Sequence, residues 1–153
     1  MESVWDYPRP PAVEPSTRRV RVEHGGDLIA DSSRALRVLE TSQPPTIYVP
    51  RDDVREDLLE AVSQHSLCEW KGQAAYFDVA AAAGRAEAAA WTYPEPSPHY
   101  AMLRGFYAFY PQRLERCRLD DELVEPNPGG FYGGWVTKDI QGPFKGGPGT
   151  SGW

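Results

Sequence analysis

The segment from His65 to Gly72 holds the densest group of side chains capable of chemistry in this chain. Its sequence, HSLCEWKG, places an imidazole, a thiol, a carboxylate, an indole and an amine within eight residues. Cys68 is one of only two cysteines, and His65 is one of only three histidines. A cysteine reacts as its thiolate, which a neighbouring imidazole or amine promotes. The segment is therefore the first candidate for an active or binding site.

The spacing of His65 and Cys68 weakens a catalytic interpretation of this pair. Residues three apart on a regular strand point to opposite faces, so the two side chains meet only across a turn or bulge. Free cysteine is also among the residue types most often buried as packing. A metal site would need further donors, for which Cys117 and His99 are the candidates, and we expect none. Cys68 and His65 thus remain catalytic candidates, with a structural role as the alternative.

Trp70, Lys71 and Gly72 make the stronger case for a binding site. Gly72 lets the backbone turn tightly after Lys71, and a lysine on such a turn can point at an anion. Trp91 and Tyr93 share one face of a strand, and on a regular strand Trp70 shares the face of the cysteine two residues before it. Aromatic walls with a few polar groups are typical of small-molecule pockets. The alternative is that the aromatic rings are core and Lys71 is solvated.

Arg34 and Glu40 are further candidates for ligand binding, at the mouth of such a pocket. They are too far apart on one strand to pair with each other. Either residue is equally suited to an ion pair with a neighbouring strand, and most such charges serve the scaffold.

The elements that must position these residues are mostly strands. Val20 and Val22 alternate with charged residues, which is the two-residue period of a strand. The glycines at 25 and 26 then predict a hairpin over residues 18–30. Further strands are predicted at 35–39, 46–49 and 105–110, and a second hairpin over 117–124 turns at the two aspartates.

One short helix is predicted near residues 53–62. Asp53 can cap its first turn, with a glutamate three positions later, as in a capping box. Val54, Leu58 and Val62 then fall on one face. The alanine-rich stretch from residue 78 to 91 is ambiguous, because alanine favours a helix while Gly84 and the flanking aromatic residues favour a hairpin.

The chain is predicted to form a single domain over residues 1–153. Residues 1–17 form a proline-rich arm in which Trp5 and Tyr7 can pin the chain to its own surface or to a second copy, giving a homodimer. Residues 18–122 form the β core. Residues 123–153 are rich in glycine and proline, yet their five large aromatic residues favour a packed extension over disorder.

Composition narrows the classes of function. The 14 glycines and 15 prolines far exceed the usual share of roughly 12% and favour a turn-rich β protein. A net charge of −6 without a basic face disfavours nucleic acid as a partner. No apolar run approaches the roughly 20 residues of a membrane span, and no signal peptide is visible. Two cysteines make no disulfide framework, so we expect a cytoplasmic protein with reduced thiols.

Many short stretches along the chain are together distinctive: Val20-Arg21-Val22, Gly25-Gly26, Ile29 to Ser32, Arg34-Ala35-Leu36, Leu39-Glu40-Thr41, Pro44-Pro45, Tyr48-Val49-Pro50, Asp53-Val54-Arg55, His65, Cys68, Trp70-Lys71-Gly72, Ala75-Tyr76, Ala89-Ala90-Trp91, Tyr93-Pro94 and Ala108-Phe109-Tyr110. With the first eleven residues and the segment from Gly129 onward, they resemble the bacterial family catalogued as domain of unknown function number 427, in its longer form with terminal extensions.

The resemblance implies a compact, mostly antiparallel β-fold, similar in topology to the Mss4-like, or β-tent, group. It implies that the alanine-rich stretch is a hairpin around Gly84. The family is uncharacterised, although it carries a nucleotidyltransferase-like label. Such enzymes need a glycine-serine turn followed by paired metal-binding aspartates, and this sequence has no such pair. The Cys-x-x-Cys knuckles that hold zinc in several β-tent proteins are also missing, so no cofactor is expected.

Three hypotheses follow. We prefer a β domain that binds a small molecule in an aromatic-lined pocket near His65–Gly72. The first alternative is a thiol or acid/base enzyme centred on Cys68 and His65, or the nucleotidyltransferase-like activity of the family label. The second is a homo-oligomeric interaction module that uses the N-terminal arm.

Overall fold

Antiparallel strands dominate the fold in a computed structural model that describes all residues from 1 to 153. Strands account for 47% of the residues, and no helix reaches seven residues. The strands are β1 (Glu2–Ser3), β2 (Ala12–Pro15), β3 (Val20–His24), β4 (Asp27–Ser32), β5 (Leu36–Leu39), β6 (Thr46–Pro50), β7 (Leu59–Cys68), β8 (Gly72–Ala81), β9 (Gly84–Thr92), β10 (Phe106–Phe109), β11 (Arg116–Leu119), β12 (Glu122–Leu123), β13 (Glu125–Pro126), β14 (Trp135–Val136) and β15 (Ile140–Gln141). The predicted mostly β fold is confirmed.

The strands assemble into two main sheets. The larger has seven strands in the order β2-β5-β6-β10-β9-β8-β7, and the smaller has four in the order β12-β11-β3-β4. All neighbours within them are antiparallel. The 3-10 turns between strands are Val4–Asp6, Arg51–Asp53, Glu56–Leu58, Pro98–Leu103 and Pro111–Arg113. None of these helical segments is long and apolar enough to cross a membrane.

The main core lies between the two sheets. Val20 and Val22 of β3 pack with Ile47 and Val49 of β6 in one cluster of 18 buried residues. These residues lie two apart on their strands, so the alternation of the sequence decides which side chains enter the core. Tyr48, between Ile47 and Val49, consequently points to the opposite face of the larger sheet.

Hairpins appear where the sequence predicts them. β3 and β4 pair across the glycines at 25 and 26, and β11 and β12 pair across the two aspartates. The alanine-rich stretch forms the hairpin of β8 and β9 around Gly84, as the resemblance implies. The predicted strands at 35–39, 46–49 and 105–110 correspond to β5, β6 and β10.

The helix predicted over residues 53–62 is wrong. The Asp53 carboxylate accepts hydrogen bonds from the Ser32 hydroxyl at 2.7 Å and from Arg34, so it does not cap a helix. From Leu59 onward the chain pairs with β8 instead. A cap and a few side-chain pairs contribute only about 1 kcal/mol or less each, whereas joining β8 adds a ladder of backbone hydrogen bonds and packs Leu59 against the core.

Both ends of the chain fold back onto the sheets. β2 pairs with β5 at one edge of the larger sheet, and β1 pairs in parallel with β15. The Trp5 indole donates a hydrogen bond to the Pro143 carbonyl at 2.9 Å. Trp135 is 1% exposed and donates to the Phe109 carbonyl at 3.1 Å. The C-terminal segment therefore contributes directly to the core.

Candidate functional site

A group of aromatic rings lies on the face of the larger sheet opposite the main core. We call it the aromatic cluster, and its members are Tyr48, Tyr76, Trp91, Tyr93, Tyr100 and Tyr110, all buried. The Trp91 ring centroid lies 4.5 Å from that of Tyr110 and 6.2 Å from that of Tyr48. The Tyr48 and Tyr93 centroids are 6.3 Å apart. Rings at these separations attract one another, so the cluster is a rigid, closely packed wall.

The C-terminal segment covers one side of the aromatic cluster. A β-carbon on Gly133 would lie only 2.4 Å from the outer edge of the Trp91 ring. The Arg113 guanidinium stacks 4.4 Å from the centroid of Tyr110. The Gln112 amide donates to two carbonyl oxygens of the same segment, at 3.2 and 3.1 Å. Only glycine allows the backbone to approach Trp91 this closely.

The turn between β7 and β8 brings the candidate residues to this cluster. Cys68 is the last residue of β7 and pairs with Gly72, the first residue of β8. Trp70 and Lys71 therefore lie in the turn. The regular strand on which Trp70 would share a face with Cys68 ends before Trp70, because the chain has already reversed. Trp70 instead packs, half-buried, against the aromatic cluster.

The loop that follows β9 holds this turn in place. The Ser97 backbone N–H donates to the Lys71 carbonyl at 2.9 Å, and its hydroxyl donates to the Trp70 carbonyl. Gly72 has φ of +112°, and a β-carbon there would lie 3.3 Å from the Glu95 carbonyl oxygen. The predicted tight turn at Gly72 is thus confirmed by its backbone conformation.

Lys71 is buried, with only 8% of its surface exposed. Its Nζ lies 5.9 Å from the centroid of the Tyr93 ring, which is the range of a cation–π contact. No carboxylate oxygen lies within 4.0 Å of the ammonium, so it forms no ion pair with the protein. The alternative in which the aromatic rings are core also expected Lys71 to be solvated. That expectation is wrong.

Two opposing effects act on the charge of Lys71. Burial lowers its pKa, whereas Tyr48, Cys68 and Glu40, which attract the ammonium when they carry a negative charge, raise it, and the net pKa lies above its ordinary value. Lys71 is therefore a cation at neutral pH. Burial raises the pKa of Tyr48 as well, so that its hydroxyl is uncharged at the same pH. The Glu40 carboxylate acts on the lysine only from beyond ion-pair distance and does not pair with it.

The hydroxyl groups of the cluster are uncharged donors. Burial, with a smaller contribution from neighbouring Tyr48 and Cys68, raises the pKa of Tyr93 far above the ordinary value of a phenol. Burial likewise raises the pKa of Tyr110. Phenols held in the protonated form can donate hydrogen bonds to an anion that the ammonium attracts.

The predicted site residues are only partly brought together. Lys71, Gly72, Trp70, Trp91 and Tyr93 all lie at or beside the aromatic cluster. Cys68 is half-buried and also packs against the cluster. His65 is exposed and pairs with Ala75 in the same unbroken register as Cys68 with Gly72, so the two side chains point to opposite faces.

Arg34 and Glu40 lie in different surroundings. The Arg34 guanidinium forms an ion pair with Asp53 at 2.9 Å, on an exposed surface near β4. Arg34 therefore forms the structural ion pair that was the alternative to ligand binding. Glu40 follows β5, is half-buried and acts electrostatically on Lys71. It is thus the charged candidate that the fold brings near the lysine.

Sequence reasoning left Tyr48, Tyr76, Tyr100 and Tyr110 out of the site. The alternation of Tyr48 with Ile47 and Val49 could have placed it on the second face of the sheet. No such pattern marked Tyr100, because it lies in a 3-10 turn. Tyr100 is buried, and its hydroxyl donates a hydrogen bond to the Pro11 carbonyl at 2.8 Å.

The other titratable candidates lie elsewhere. Cys117 is 2% exposed in the main core, where burial raises its pKa to about 12. No three histidine, cysteine, aspartate or glutamate side chains are grouped as a metal ion would require.

A cavity of 140 Å³ lies between the arm and the C-terminal segment, near Arg18, Arg37 and Trp135. A shallower one of 390 Å³ lies beside β4.

Comparison with known proteins supplies a family but no activity. The family model described as "Domain of unknown function (DUF427)" matches residues 12–120 of the chain. The match leaves the first eleven residues and the C-terminal segment outside it, which agrees with a longer form carrying terminal extensions. No curated protein matches the sequence.

Proposed function

We propose that this chain, which belongs to the family of the domain of unknown function DUF427, binds a small organic anion at Lys71, with the ligand resting against the aromatic cluster. The observation that carries the proposal is that the Lys71 side chain is largely buried while its ammonium has no carboxylate within 4.0 Å. A buried charge costs several kcal/mol unless it is paired. A ligand anion would supply the missing partner.

The surroundings of Lys71 support an aromatic anion in particular. Tyr93 and Trp70 offer ring faces beside the ammonium, and the Tyr48 and Tyr93 hydroxyls are uncharged donors. Cys68, Trp70 and Glu40 are half-buried, and Cys68 and Glu40 both act on the pKa of Lys71. Apolar walls with a few converging polar groups are the usual composition of small-molecule sites.

Calorimetric titration with benzoate and its uncharged analogue benzamide tests this proposal. We expect benzoate to bind and benzamide to bind at least tenfold more weakly, a difference of about 1.4 kcal/mol. Lys71→Met should remove the preference for benzoate. Lys138→Met is the matched control, because Lys138 is exposed. Equal binding of the two compounds, or an unchanged benzoate affinity in Lys71→Met, would contradict the proposal.

A further inference from the structure

We propose that Cys68 is a site of covalent modification by small anionic disulfides, and that Lys71 positions the anion for the reaction. The inference rests on the anion site proposed above and adds a chemical step to it. The amine of Lys71, rather than the imidazole of His65, is the neighbouring group that assists the Cys68 thiol.

The two cysteines of this chain differ in access. Cys117 is 2% exposed within the main core, and burial raises its pKa to about 12. Cys68 is half-buried at the end of β7, beside the turn that leads into β8. A thiol must reach its reagent and react as the thiolate. Cys117 meets neither condition and is an internal control for Cys68.

The backbone register places Cys68 beside Lys71. Cys68 pairs directly with Gly72, the residue that follows Lys71, so the thiol and the ammonium both lie at the closed end of the hairpin. The Cys68 thiol is among the groups that hold the pKa of Lys71 above its ordinary value. Lys71 is more than nine-tenths buried, and no protein carboxylate competes for it within 4.0 Å. Its charge is therefore available to the sulfur and to an incoming anion.

His65 does not serve the thiol in this geometry. It is exposed on the opposite face of β7, whereas Cys68 packs against the aromatic cluster. Half-buried Trp70 packs against the same cluster as Cys68, so the exposed part of its ring can contact an aromatic reagent. The site thus favours a disulfide that is both aromatic and negatively charged.

The reaction is a thiol–disulfide exchange. The Cys68 thiol loses its proton to solvent, and the thiolate attacks one sulfur of the reagent. The new bond joins the Cys68 Sγ to that sulfur, while the original sulfur–sulfur bond breaks and the other half leaves as a thiolate. The electrons balance within the exchange, so no further oxidant or reductant is needed. A carboxylate on the reagent would rest at the Lys71 ammonium during the attack.

Two aromatic disulfides of different charge test this inference in a Cys117→Ala background. The probes are dithiobis(nitrobenzoate), which carries two carboxylates, and dithiodipyridine, which is uncharged at neutral pH. We measure the rate constant of the anionic disulfide divided by that of the neutral disulfide. We then divide this ratio by the same ratio for free cysteine in the same buffer. We expect this normalised ratio to be at least about fivefold above one, through attraction by Lys71.

Changes at Lys71 separate its charge from its structural role. The normalised ratio should fall to about one in Lys71→Met and stay high in Lys71→Arg, which keeps the charge. Should Lys71→Met fail to fold, benzoate replaces it as the test, because benzoate should slow the anionic disulfide more than it slows dithiodipyridine. A ratio near one in the Cys117→Ala protein, or a high ratio that survives Lys71→Met, would overturn the inference.

The outcome for Cys68 can be distinguished from the outcome for anion binding. In a Cys68→Ala variant, benzoate binding reports the anion site without the thiol. Benzoate binding combined with charge-independent thiol reactivity would overturn only the modification of Cys68. Charge-selective reactivity without benzoate binding would instead overturn the proposed ligand site and leave the selective thiol in place.

Discussion

The Lys71 ammonium lies 5.9 Å from the centroid of the Tyr93 ring, although the two residues belong to separate segments. Lys71 lies in the turn before β8, and Tyr93 follows β9. The loop after Tyr93 closes over the turn through the hydrogen bond from Ser97 to the Lys71 carbonyl. This closure converts a lysine on a surface hairpin into a buried cation with an aromatic neighbour.

Glu40→Gln should tighten benzoate binding by about twofold to fivefold, because its carboxylate opposes a second anion near Lys71. Arg34→Gln is the matched control, since Arg34 pairs with Asp53 on an exposed surface. Its benzoate affinity should equal that of the wild type. Calorimetric dissociation constants for the three proteins provide the comparison. Weaker binding in Glu40→Gln would mean that the carboxylate supports the ligand.

Gly133→Ala should lower the free energy of unfolding by about 1–3 kcal/mol, as overpacking does in a filled core. The new β-carbon would lie 2.4 Å from the Trp91 ring, so the covering segment or the ring must move. Urea denaturation measures the change. Gly152→Ala is the control, because a β-carbon there meets no atom within 4 Å. Equal loss in both variants would argue that Gly133 does not pack on Trp91.

Trp135→Ala should lower the free energy of unfolding by about 3–5 kcal/mol. Trp135 is 1% exposed, and its indole bonds the Phe109 carbonyl, so the change leaves both a cavity and an unpaired acceptor. Phe131→Ala removes another aromatic ring of the same segment, but this ring is 74% exposed. Its denaturation midpoint should stay within experimental error of the wild type. A small effect of Trp135→Ala would show that the segment can leave the core at little cost.

Stability should fall at alkaline pH because buried phenols resist ionisation. Burial raises the pKa values of Tyr48, Tyr93 and Tyr110, and burial with the Glu56 hydrogen bond raises that of Tyr107 to about 12. An unfolded tyrosine ionises near pH 10. The stabilisation from the protonated phenols is therefore fully present below about pH 10 and is lost as the pH rises through the folded values.

Urea denaturation at a series of pH values above neutrality measures this loss. Tyr107→Phe should show a shallower decline than the wild type, because it removes one of the groups whose pKa is raised. A free energy of unfolding that stays constant or rises across pH 10 to about 11 would contradict the expectation.

Local sequence patterns identified most of the strands. Alternation at Val20 and Val22 is a property of neighbouring residues, and it predicted a strand whose two valines do enter the core. The strand at 46–49 was predicted as well, but without the face that enters the core. The pattern at Val54, Leu58 and Val62 was equally local, yet it predicted a helix where β7 begins with Leu59. An edge position beside β8, the next strand along the chain, was open to this segment, and a helical period shows nothing of such pairing.

The sequence by itself determined that the chain is mostly β, that Gly72 follows a tight turn and that the family resemblance spans the core. It also placed Cys68, Lys71 and Tyr93 among the candidates. Tertiary structure alone decided that Lys71 is buried, that Glu40 rather than Arg34 lies near it, and that no bulge brings Cys68 and His65 together. The reason is physical, since burial and charge pairing depend on which distant segments meet, whereas strand alternation and turn chemistry depend on residues adjacent in the chain.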